Sequence, residues 1–379
     1  MRLALSLGAR GLGRTWPNPA VGCVIVREGR IVGRGWTGAG GRPHAEAVAL
    51  AQAADAARGA DAYVTLEPCA HHGRTPPCAD ALAAAGVRRV VVALRDPDPR
   101  VNGRGLARLR GAGIEVVEGV LEAEARAAQA GFLSRIGRGR PWLALKLAAS
   151  LDGRIATARG ESRWITGPEA RRMVHAMRAR HDAVMVGGGT ARADDPRLTV
   201  RDLGFGHQPV RIVWSRHLDL PLNGQLAASA REVPLWLVHG EDVSRDLVAA
   251  WERLGARLMP CPLRPCPSAD GGKRLDPVAA LELLGAAGLT RLFCEGGGTL
   301  AATLMAAELV DELILFTAGR ALGAEGRPML GALGLERLAE APSFRLVEQG
   351  RAGADIFSRW LRHDAVGGGG AGARGAAAG

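Results

Sequence analysis

The sequence predicts an α/β protein built from two domains. Short apolar runs typical of β-strands alternate with helical stretches along almost the whole chain. A chain of 379 residues is also too long for one ordinary hydrophobic core. Between residues 134 and 141 the alternation gives way to glycine and arginine, and a new strand-like segment follows. We therefore predict domains at 1–138 and 139–362, with a disordered glycine- and alanine-rich tail at 363–379.

The first domain opens with a predicted β-hairpin and continues as alternating helices and strands. The predicted elements are strands 20–26 and 30–35, helix 44–58, strand 61–67, helix 76–86, strand 88–94, helix 103–113 and strand 114–119. The helix at 76–86 has proline at its start and glycine at its end, which is the usual asymmetry of helix termini. Helices are therefore expected to cover a largely buried sheet.

The second domain repeats this alternation over a longer stretch. The predicted elements are strand 142–149, helix 167–181, strands 182–187, 210–214 and 234–239, helix 243–255, strand 291–296, helix 298–310 and strand 312–319. The proline-rich stretch 260–277 is predicted to be a loop that carries Cys261 and Cys266 as ordinary thiols.

Composition limits the class of protein. The hydrophobic fraction of 47% with 23% charged residues is typical of a globular protein, and no apolar run is long enough to span a membrane. The N-terminus lacks a cleavage pattern, so we expect a cytoplasmic protein. The net charge of +11 is compatible with a nucleic-acid partner, but the arginines are scattered and one tyrosine offers little base stacking. Anionic small molecules such as phosphates would suit this charge equally well.

The stretch EPCAHHGRTPPC contains the first chemical motif, the pair Cys69 and Cys78. A disulfide, a zinc site and chance are the alternatives, and a cytoplasmic chain keeps its thiols reduced. Upstream, His44 and Glu46 stand at the mouth of a predicted helix. Cys69 follows a predicted strand, and Cys78 falls in the first turn of the next helix, where the peptide dipoles favour a thiolate.

His44, Cys69 and Cys78 would leave the fourth position of a tetrahedral zinc ion to water, as in catalytic zinc sites. Bound zinc lowers the pKa of such a water, and Glu46 is then placed to shuttle its proton. The order His-x-Glu, Pro-Cys, Cys is that of the zinc nucleobase deaminases, although their usual spacing has two residues between the cysteines and this chain has eight. The alternative is two buried thiols beside a solvated histidine.

Three further histidine and cysteine residues have separate predictions. His71 and His72 are alternative ligands, although we favour a loop that wraps the substrate. Cys23 lies in the middle of a predicted strand and is expected in the core.

Two strands of the second domain end in glycine runs, in DAVMVGGGT (182–190) and RLFCEGGGTL (291–300). Neither matches a Walker loop or a dinucleotide fingerprint. A strand, a glycine turn and a helix N-terminus together can cradle phosphate, and two such turns favour a nucleotide cofactor. Lys146, predicted at the end of a strand, stands out because the chain otherwise has only Lys273; a specific ammonium group and a surface lysine are both compatible with it.

Several segments together resemble the bifunctional deaminase–reductase family of riboflavin biosynthesis. They are TWPNPAVGCVIV, PHAE, TLEPCAHHGRTPPC, RDPDPRVNGRG, LKLAASLDGRIA, GESRWITG, ARADDPRLTVR and EGGGTLAATL. The resemblance is dense over residues 1–200 and resumes over 291–360, and the spacing of eight residues between the cysteines is a feature of that family.

The resemblance implies a cytidine-deaminase-like α/β/α domain followed by a dihydrofolate-reductase-like α/β domain. The first would hydrolyse an amino group of a phosphorylated diaminopyrimidinone ribosylamine, with one zinc ion per chain. The second would reduce the ribosyl side chain to ribityl with NADPH. The implied partners are this small phosphorylated substrate and neither nucleic acid nor membrane, while an assembly of identical chains is compatible with the sequence.

Position by position, the resemblance also implies site residues. Its catalytic residues correspond to Glu46, Lys146 and Asp194. Its NADPH contacts correspond to Ala148, Trp164, Thr190, Asp194, Gly297, Gly298 and Thr299. Its substrate contacts correspond to Asn18, Ser162, Arg178, Leu198, Arg201 and Glu295.

Two features of the second domain bear on the substrate contacts that the resemblance implies. Arg178 and Arg201 offer guanidinium forks that could hold the substrate phosphate with paired hydrogen bonds. The segment VWSR (213–216) stands where the family usually has an aliphatic residue, aspartate and serine, so a contact at Ser215 or Arg216 stays open.

Two other functions explain part of the sequence. A zinc deaminase of nucleic acid or free nucleobases with a non-catalytic nucleotide-binding second domain would suit the charge but leave the second half without a task. A zinc-stabilised regulatory nucleotide-binding module would need a fourth protein ligand, and Glu46 would then be an ordinary helix residue.

Overall fold

The computed structural model describes residues 1–71, 76–265 and 272–363, which form two β-sheets with helices packed on them. The predicted α/β class is therefore confirmed. His72, Cys266 and the tail from residue 364 lie outside the described residues. Among the described helices, none has the length and apolar character needed to cross a bilayer.

The first sheet has five strands in the order β2-β1-β3-β4-β5. Its region comprises α1 (Arg2–Gly8), β1 (Gly22–Arg27), β2 (Arg30–Trp36), α2 (Ala45–Ala53), β3 (Asp61–Val64), α3 (Cys78–Ala84), β4 (Arg89–Val92), α4 (Arg104–Gly111), β5 (Glu115–Glu118), α5 (Glu122–Ala128) and α6 (Ala130–Arg138). Strand β1 is antiparallel to both β2 and β3, whereas β3, β4 and β5 are parallel. The predicted hairpin turns through Glu28 and Gly29, both at positive φ, as a tight hairpin requires.

Helix α2 packs on β2 at the level of the backbone. A Cβ atom at Gly33 would lie 2.2 Å from the Ala49 carbonyl oxygen, and one at Gly35 would lie 2.2 Å from that of Ala45. Only glycine on the strand allows this approach. The packing fixes the start of α2, which is where His44 lies.

The second sheet has nine strands in the order β11-β10-β9-β8-β14-β6-β15-β18-β17. Its region comprises β6 (Trp142–Ser150), β7 (Arg154–Ala156), α7 (Pro168–Arg178), β8 (Ala183–Gly187), α8 (Gly188–Asp194), β9 (Val210–Trp214), α9 (Gln225–Ala228), β10 (Leu235–Gly240), α10 (Arg245–Leu254), β11 (Arg257–Cys261), β12 (Leu263–Pro265), β13 (Lys273–Leu275), α11 (Pro277–Ala286), β14 (Arg291–Cys294), α12 (Gly298–Ala306), β15 (Glu312–Ala318), β16 (Arg327–Pro328), β17 (Phe344–Ala352) and β18 (Asp355–Arg362). Strands β11 to β15 in this order are parallel, and β18 and β17 extend the sheet in antiparallel pairing.

Three predictions about local structure were wrong. Cys261 is not a loop thiol but the buried last residue of β11. Within the predicted loop at 260–277, the described residues also form the small hairpin of β12 and β13, and α11 begins at the last position, Pro277. Helix α11 is apolar on nearly every side, so it lacks the amphipathic period that reveals a helix. Lys146 lies in the middle of β6 and not at the end of a strand.

The predicted domain break coincides with the end of a helix that the sequence did not reveal. Helix α6 runs to Arg138 and ends at Gly139, whose φ of 68° is that of a left-handed C-terminal cap. Arg138 and Arg140 then both pair with Asp311 of the second sheet's region, at 2.7 Å each. The boundary at residue 138 stays a prediction, but its glycine and arginine run is an ordered connection.

Two candidate active sites

Three side chains that can ligate a metal meet where α2 and α3 begin. His44 directly precedes α2, Cys78 is the first residue of α3, and Cys69 lies between β3 and α3. His44 Nδ1 lies 3.2 Å from Cys78 Sγ and 3.7 Å from Cys69 Sγ, and all three ligating atoms lie within 4.8 Å of one another. Tetrahedral zinc separates such ligand atoms by roughly 3.6–3.8 Å. The group therefore fits a zinc ion with three protein ligands.

The close contact of these ionisable groups shifts the pKa of each of them. The hydrogen bond from Cys78 lowers the pKa of Cys69 to about 4, and the same bond raises the pKa of Cys78. The hydrogen bond with Cys69 raises the pKa of His44. Glu46, only 4% exposed in the first turn of α2, has its pKa raised to about 7, mainly by burial. A bound divalent cation would favour the deprotonated forms of the thiol, imidazole and carboxyl groups in this set.

A second cluster lies at the centre of the nine-stranded sheet. Lys146 is on β6, Glu295 directly follows the neighbouring strand β14, and Arg178 is the last residue of α7. The Arg178 Nε atom donates to Glu295 Oε1 at 2.5 Å and Nη2 donates to Oε2 at 3.1 Å, while Lys146 Nζ lies 3.9 Å from Oε2. Burial lowers the pKa of Lys146. Burial opposes ionisation of Glu295, but the charges of Arg178 and Lys146 keep its pKa below the ordinary value.

The two glycine turns lie beside this cluster and contact each other. The backbone N–H of Gly297 donates to Thr190 Oγ1 at 3.3 Å, which joins the turn after β14 to the start of α8. A Cβ atom at Gly298 would lie 2.7 Å from the Pro328 carbonyl oxygen, so only glycine fits there. Two backbone turns that lie this close can receive the phosphates of a dinucleotide.

Comparisons with known proteins match both halves of the chain. A family model described as "RibD C-terminal domain" matches residues 141–357, and one described as "Cytidine and deoxycytidylate deaminase zinc-binding region" matches residues 1–94. The riboflavin biosynthesis protein RibD of Escherichia coli is 44% identical over 366 residues, which cover 94% of this chain and 96% of that protein. The solved structure of Acinetobacter baumannii RibD has a TM-score of 0.83 and 38% identity, and covers 95% of this chain and 97% of its own.

The chain belongs to the RibD family. Another solved structure, from Thermotoga maritima, is described as a diaminohydroxyphosphoribosylaminopyrimidine deaminase and phosphoribosylaminouracil reductase, with 32% identity and a TM-score of 0.81 over 96% of this chain and 97% of its own. The predicted cytidine-deaminase-like and reductase domains are thus confirmed, as is a bifunctional enzyme of riboflavin biosynthesis that uses zinc and NADPH. A nucleic-acid deaminase with a non-catalytic second half is not favoured.

A buried carboxylate of the RibD deaminase domain has a structural role that the sequence did not reveal. Glu67, 4% exposed and two residues before Cys69, accepts four backbone N–H bonds from the segment 96–106. The donors are Asp96 at 3.3 Å, Gly103 at 2.9 Å, Gly105 at 3.0 Å and Leu106 at 3.4 Å. Its position directly before the Pro-Cys ligand pair was the available signal, but its partners come from a distant segment.

Asn18 and His71 are the remaining described residues predicted for the deaminase. Asn18 is exposed and donates to the Gly40 carbonyl at 3.3 Å, in the loop that leads to His44. The buried Nδ1 atom of His71 has no hydrogen-bond partner among the described residues, and His71 is not part of the three-ligand group.

The structure distinguishes the two RibD arginines that were expected to hold phosphate. Arg178 donates from Nε and Nη2 to the Glu295 carboxylate and from Nη1 to the Thr199 carbonyl at 2.8 Å. All three guanidinium nitrogens are therefore already hydrogen-bonded within the protein. Arg201 is exposed, and its Nη1 donates only to Thr199 Oγ1 at 3.2 Å among the described contacts. The expectation of a free phosphate fork therefore suits Arg201 and not Arg178.

Other residues predicted for the reductase lie on neighbouring elements. Trp164 is 63% exposed and lies under the Arg171 guanidinium, and Ser162 precedes Arg163, which donates to the carbonyl of Asp194 at 3.2 Å. The others are Ala148 on β6, two residues after Lys146, the exposed Thr299 on α12 and the buried Leu198 after α8.

Proposed function

We propose that the zinc group and the cluster of Lys146, Arg178 and Glu295 are two separate active centres. The first would deaminate a phosphorylated diaminopyrimidinone ribosylamine, and the second would reduce the ribosyl side chain of the deaminated product. The observation that carries this proposal is that each cluster is built on its own sheet, and that no hydrogen bond or ion pair among the described residues joins the two clusters.

In the deaminase centre, His44, Cys69 and Cys78 would hold zinc, which when bound supplies a water with a pKa near neutrality. The chain's own contribution is Glu46. Its buried carboxyl group lies close enough to Cys69 and His44 for their charges to affect its pKa. A carboxyl group in this position can accept a proton and deliver it to the ring nitrogen and then to the leaving ammonia. Asn18 would contact the substrate at the entrance to this centre.

In the reductase centre, NADPH supplies a hydride when bound. Lys146, held by Glu295, would place a positive charge beside the reacting sugar carbon, with Asp194 as a further polar neighbour. Arg178 would orient Glu295, and Arg201 would bind the substrate phosphate, with Ser162 and Leu198 lining its path. The turn at Gly297, Gly298 and Thr299, together with Ala148, Trp164 and Thr190, would hold the cofactor.

We propose in addition a cytoplasmic protein that binds neither nucleic acid nor membrane. All five described cysteines are free thiols, as is usual in a reducing compartment. Many of the described arginines are paired with protein carboxylates, which reduces the charge available to a nucleic-acid backbone. 

We also propose that identical chains associate through the edge of the large sheet. Strand β17 is a largely exposed edge strand, with the exposed apolar side chains of Leu346 on it and Ile356 on the paired strand β18. An uncovered edge with apolar neighbours is typical of an interface. Light scattering of the intact protein and of Leu346→Glu tests it, since the substitution should lower the mass if the edge is buried between chains.

To test the two-centre proposal, ammonia release and NADPH oxidation are measured separately in the full-length protein. Glu46→Gln should lower ammonia release by about 10²–10⁴-fold and leave reduction of the deaminated intermediate unchanged. Lys146→Met should do the reverse, because it removes a charge from the second centre only. Equal loss of both activities in either well-folded variant would contradict two independent centres.

A further inference from the structure

Segment 199–201, which ends at the proposed phosphate ligand Arg201, belongs to no helix or strand. None of its backbone groups has a backbone hydrogen-bond partner among the described residues. Leu198 before it and Asp202 after it both have a positive φ, 55° and 61°, a left-handed conformation that a residue as large as leucine adopts only where its surroundings enforce it. Side-chain contacts must therefore fix the course of this segment.

Gln208 holds the middle of this segment with both ends of its amide group. Its Oε1 atom accepts from the Val200 N–H at 2.7 Å, and its Nε2 atom donates to the Val200 carbonyl at 3.0 Å. The amide thus pairs with Val200 as a residue of a neighbouring antiparallel strand would. Gln208 itself lies two residues before Val210, the first residue of β9. The segment is therefore tied to a strand of the large sheet.

His175 holds the last residue of the segment. Its Nδ1 atom accepts from the Arg201 N–H at 3.3 Å. His175 lies on α7, three residues before Arg178, which donates from Nη1 to the Thr199 carbonyl at 2.8 Å. Burial, reinforced by the charges of Arg178 and Arg201, lowers the pKa of His175, so its ring stays neutral and Nδ1 can accept a hydrogen bond. Both ends of the segment are thus bound to α7.

The side chain of Arg201, in contrast to its backbone, is available to a ligand. It is exposed, and no carboxylate oxygen of the described residues lies within ion-pair distance of it. Its hydrogen bond to Thr199 Oγ1, at 3.2 Å, leaves most of the guanidinium group open. A fixed backbone that carries such a group suits the binding of a phosphate, because less loop and side-chain freedom is lost when the anion binds.

The loop that follows Arg201 reaches the first domain. His207 Nε2 lies 3.1 Å from the Gly13 carbonyl oxygen, and a Cβ atom at Gly13 would lie 2.7 Å from the carbonyl oxygen of Ala179, just after α7. One turn of the first domain therefore contacts both this loop and the end of α7. These contacts limit how far the loop can move if the hydrogen bonds of Gln208 are removed, so we expect a partial loss of function and not a complete one.

We propose that Gln208 and His175 are positioning residues of the reductase, which fix the backbone at Val200 and Arg201 so that the Arg201 guanidinium group is in place for the substrate phosphate. This inference rests on the proposed phosphate contact of Arg201 and adds the residues through which that contact acts. Gln208 and His175 bind backbone and not the reacting atoms. They should therefore affect the binding of the phosphorylated substrate and not hydride transfer.

The test is steady-state reduction, by the full-length protein, of the deaminated intermediate and of the same compound without its phosphate. Gln208→Ala should raise KM for the phosphorylated compound by about five- to fiftyfold, because two neutral hydrogen bonds are lost. Its kcat, its affinity for NADP⁺ and its KM for the phosphate-free compound should not change. Gln52→Ala is the matched control, since Gln52 also accepts from a backbone N–H, that of Arg34, but in the first domain, and should alter none of these constants.

His175→Ala provides a second variant and should raise the same KM, whereas His175→Gln should restore it in part, because an amide oxygen can again accept from the Arg201 N–H. Arg201→Ala completes a double-mutant cycle. If Gln208 acts through Arg201, the double variant should bind the phosphorylated compound no worse than Arg201→Ala alone. Additive losses, an unchanged KM in Gln208→Ala, or equal rises in KM for both compounds would overturn the positioning role. An unchanged KM in Arg201→Ala would instead overturn the proposed phosphate contact, and the positioning role with it.

Discussion

Arg178 and Glu295 form a buried bidentate ion pair, with Nε 2.5 Å from Oε1 and Nη2 3.1 Å from Oε2. The two side chains are 13% and 10% exposed, and Lys146 Nζ lies 3.9 Å from Oε2 of the same carboxylate. Glu295 therefore has two cationic neighbours, one of which is fixed by the fork geometry of arginine. We infer from this arrangement that Arg178 positions Glu295.

We expect Arg178→Lys and Arg201→Lys to affect different kinetic constants. Lysine cannot reproduce the fork, so Arg178→Lys should displace Glu295 and lower kcat of the reductase by about ten- to a hundredfold, with a small change in KM. Arg201→Lys should raise KM for the phosphorylated intermediate by a similar factor and leave kcat and the affinity for NADPH unchanged. Steady-state kinetics with the deaminated intermediate measures both, and a rise in KM alone in Arg178→Lys would assign the phosphate to Arg178 instead.

Cys69→Ala should abolish zinc binding. The substitution removes one of three ligands, and two ligands hold zinc poorly. Elemental analysis of untagged protein should give about one zinc per chain in the parent and a small fraction of that in the variant. Cys23→Ala is the matched control, because Cys23 is a fully buried cysteine on β1 that is not part of the ligand group. Full zinc content in Cys69→Ala would disprove the ligand set.

Glu67→Gln should destabilise the deaminase domain. Glu67 Oε1 accepts from Gly105 and Leu106, and Oε2 accepts from Asp96 and Gly103. A glutamine side chain has only one oxygen, so one pair of buried N–H groups would face an amide NH₂ and lose its acceptor.

The expected cost of Glu67→Gln is about 2–4 kcal/mol in the free energy of unfolding. Urea denaturation followed by circular dichroism measures it. Glu115→Gln is the control, since the Glu115 side chain is 60% exposed and its loss should cost less than about 0.5 kcal/mol. Equal stability of the two variants would show that the segment 96–106 does not depend on Glu67.

The zinc group could be predicted from the sequence because its signal is local. His44 and Cys78 each stand at the start of a helix, and Cys69 follows a strand in the same unit, so propensity and spacing alone bring them close. The alternation of elements likewise predicted the α/β class. Helix α11 and strand β11 were missed because the segment is apolar in one part and rich in proline in the next.

The reductase cluster depends on sheet order, which a sequence does not state. Lys146 and Glu295 lie close together because β14 pairs with β6. The sequence of neither strand indicates which strand will pair with it. The partner of Arg178 depends in turn on where α7 ends above that edge. Residue types alone therefore predicted that Arg178 binds a phosphate, whereas in the structure its guanidinium group is hydrogen-bonded to Glu295.

His181 is a buried neutral histidine near the contact between the two domains. It is 7% exposed, its ring packs on Phe293 at 5.0 Å, and its Nδ1 atom is 2.7 Å from the Met177 carbonyl oxygen. Burial, reinforced by the charge of Arg291, lowers its pKa to about 4. The residue also lies against Gly13 of the first domain, where a Cβ atom would be 3.0 Å from the His181 backbone.

We expect His181 to make the protein less stable as the pH falls from about 6.5 to about 4. In this window the unfolded chain protonates the imidazole and the folded chain does not, so the unfolded state binds more protons. The free energy of unfolding should fall by about 3 kcal/mol across the window and level off below it. His181→Gln can still donate to the Met177 carbonyl but does not titrate, so its urea denaturation profile should be flatter by that amount. His217→Gln, at an exposed histidine, is the control and should keep the slope of the parent protein. Parallel profiles for the parent and His181→Gln would mean that the acid sensitivity comes from other groups.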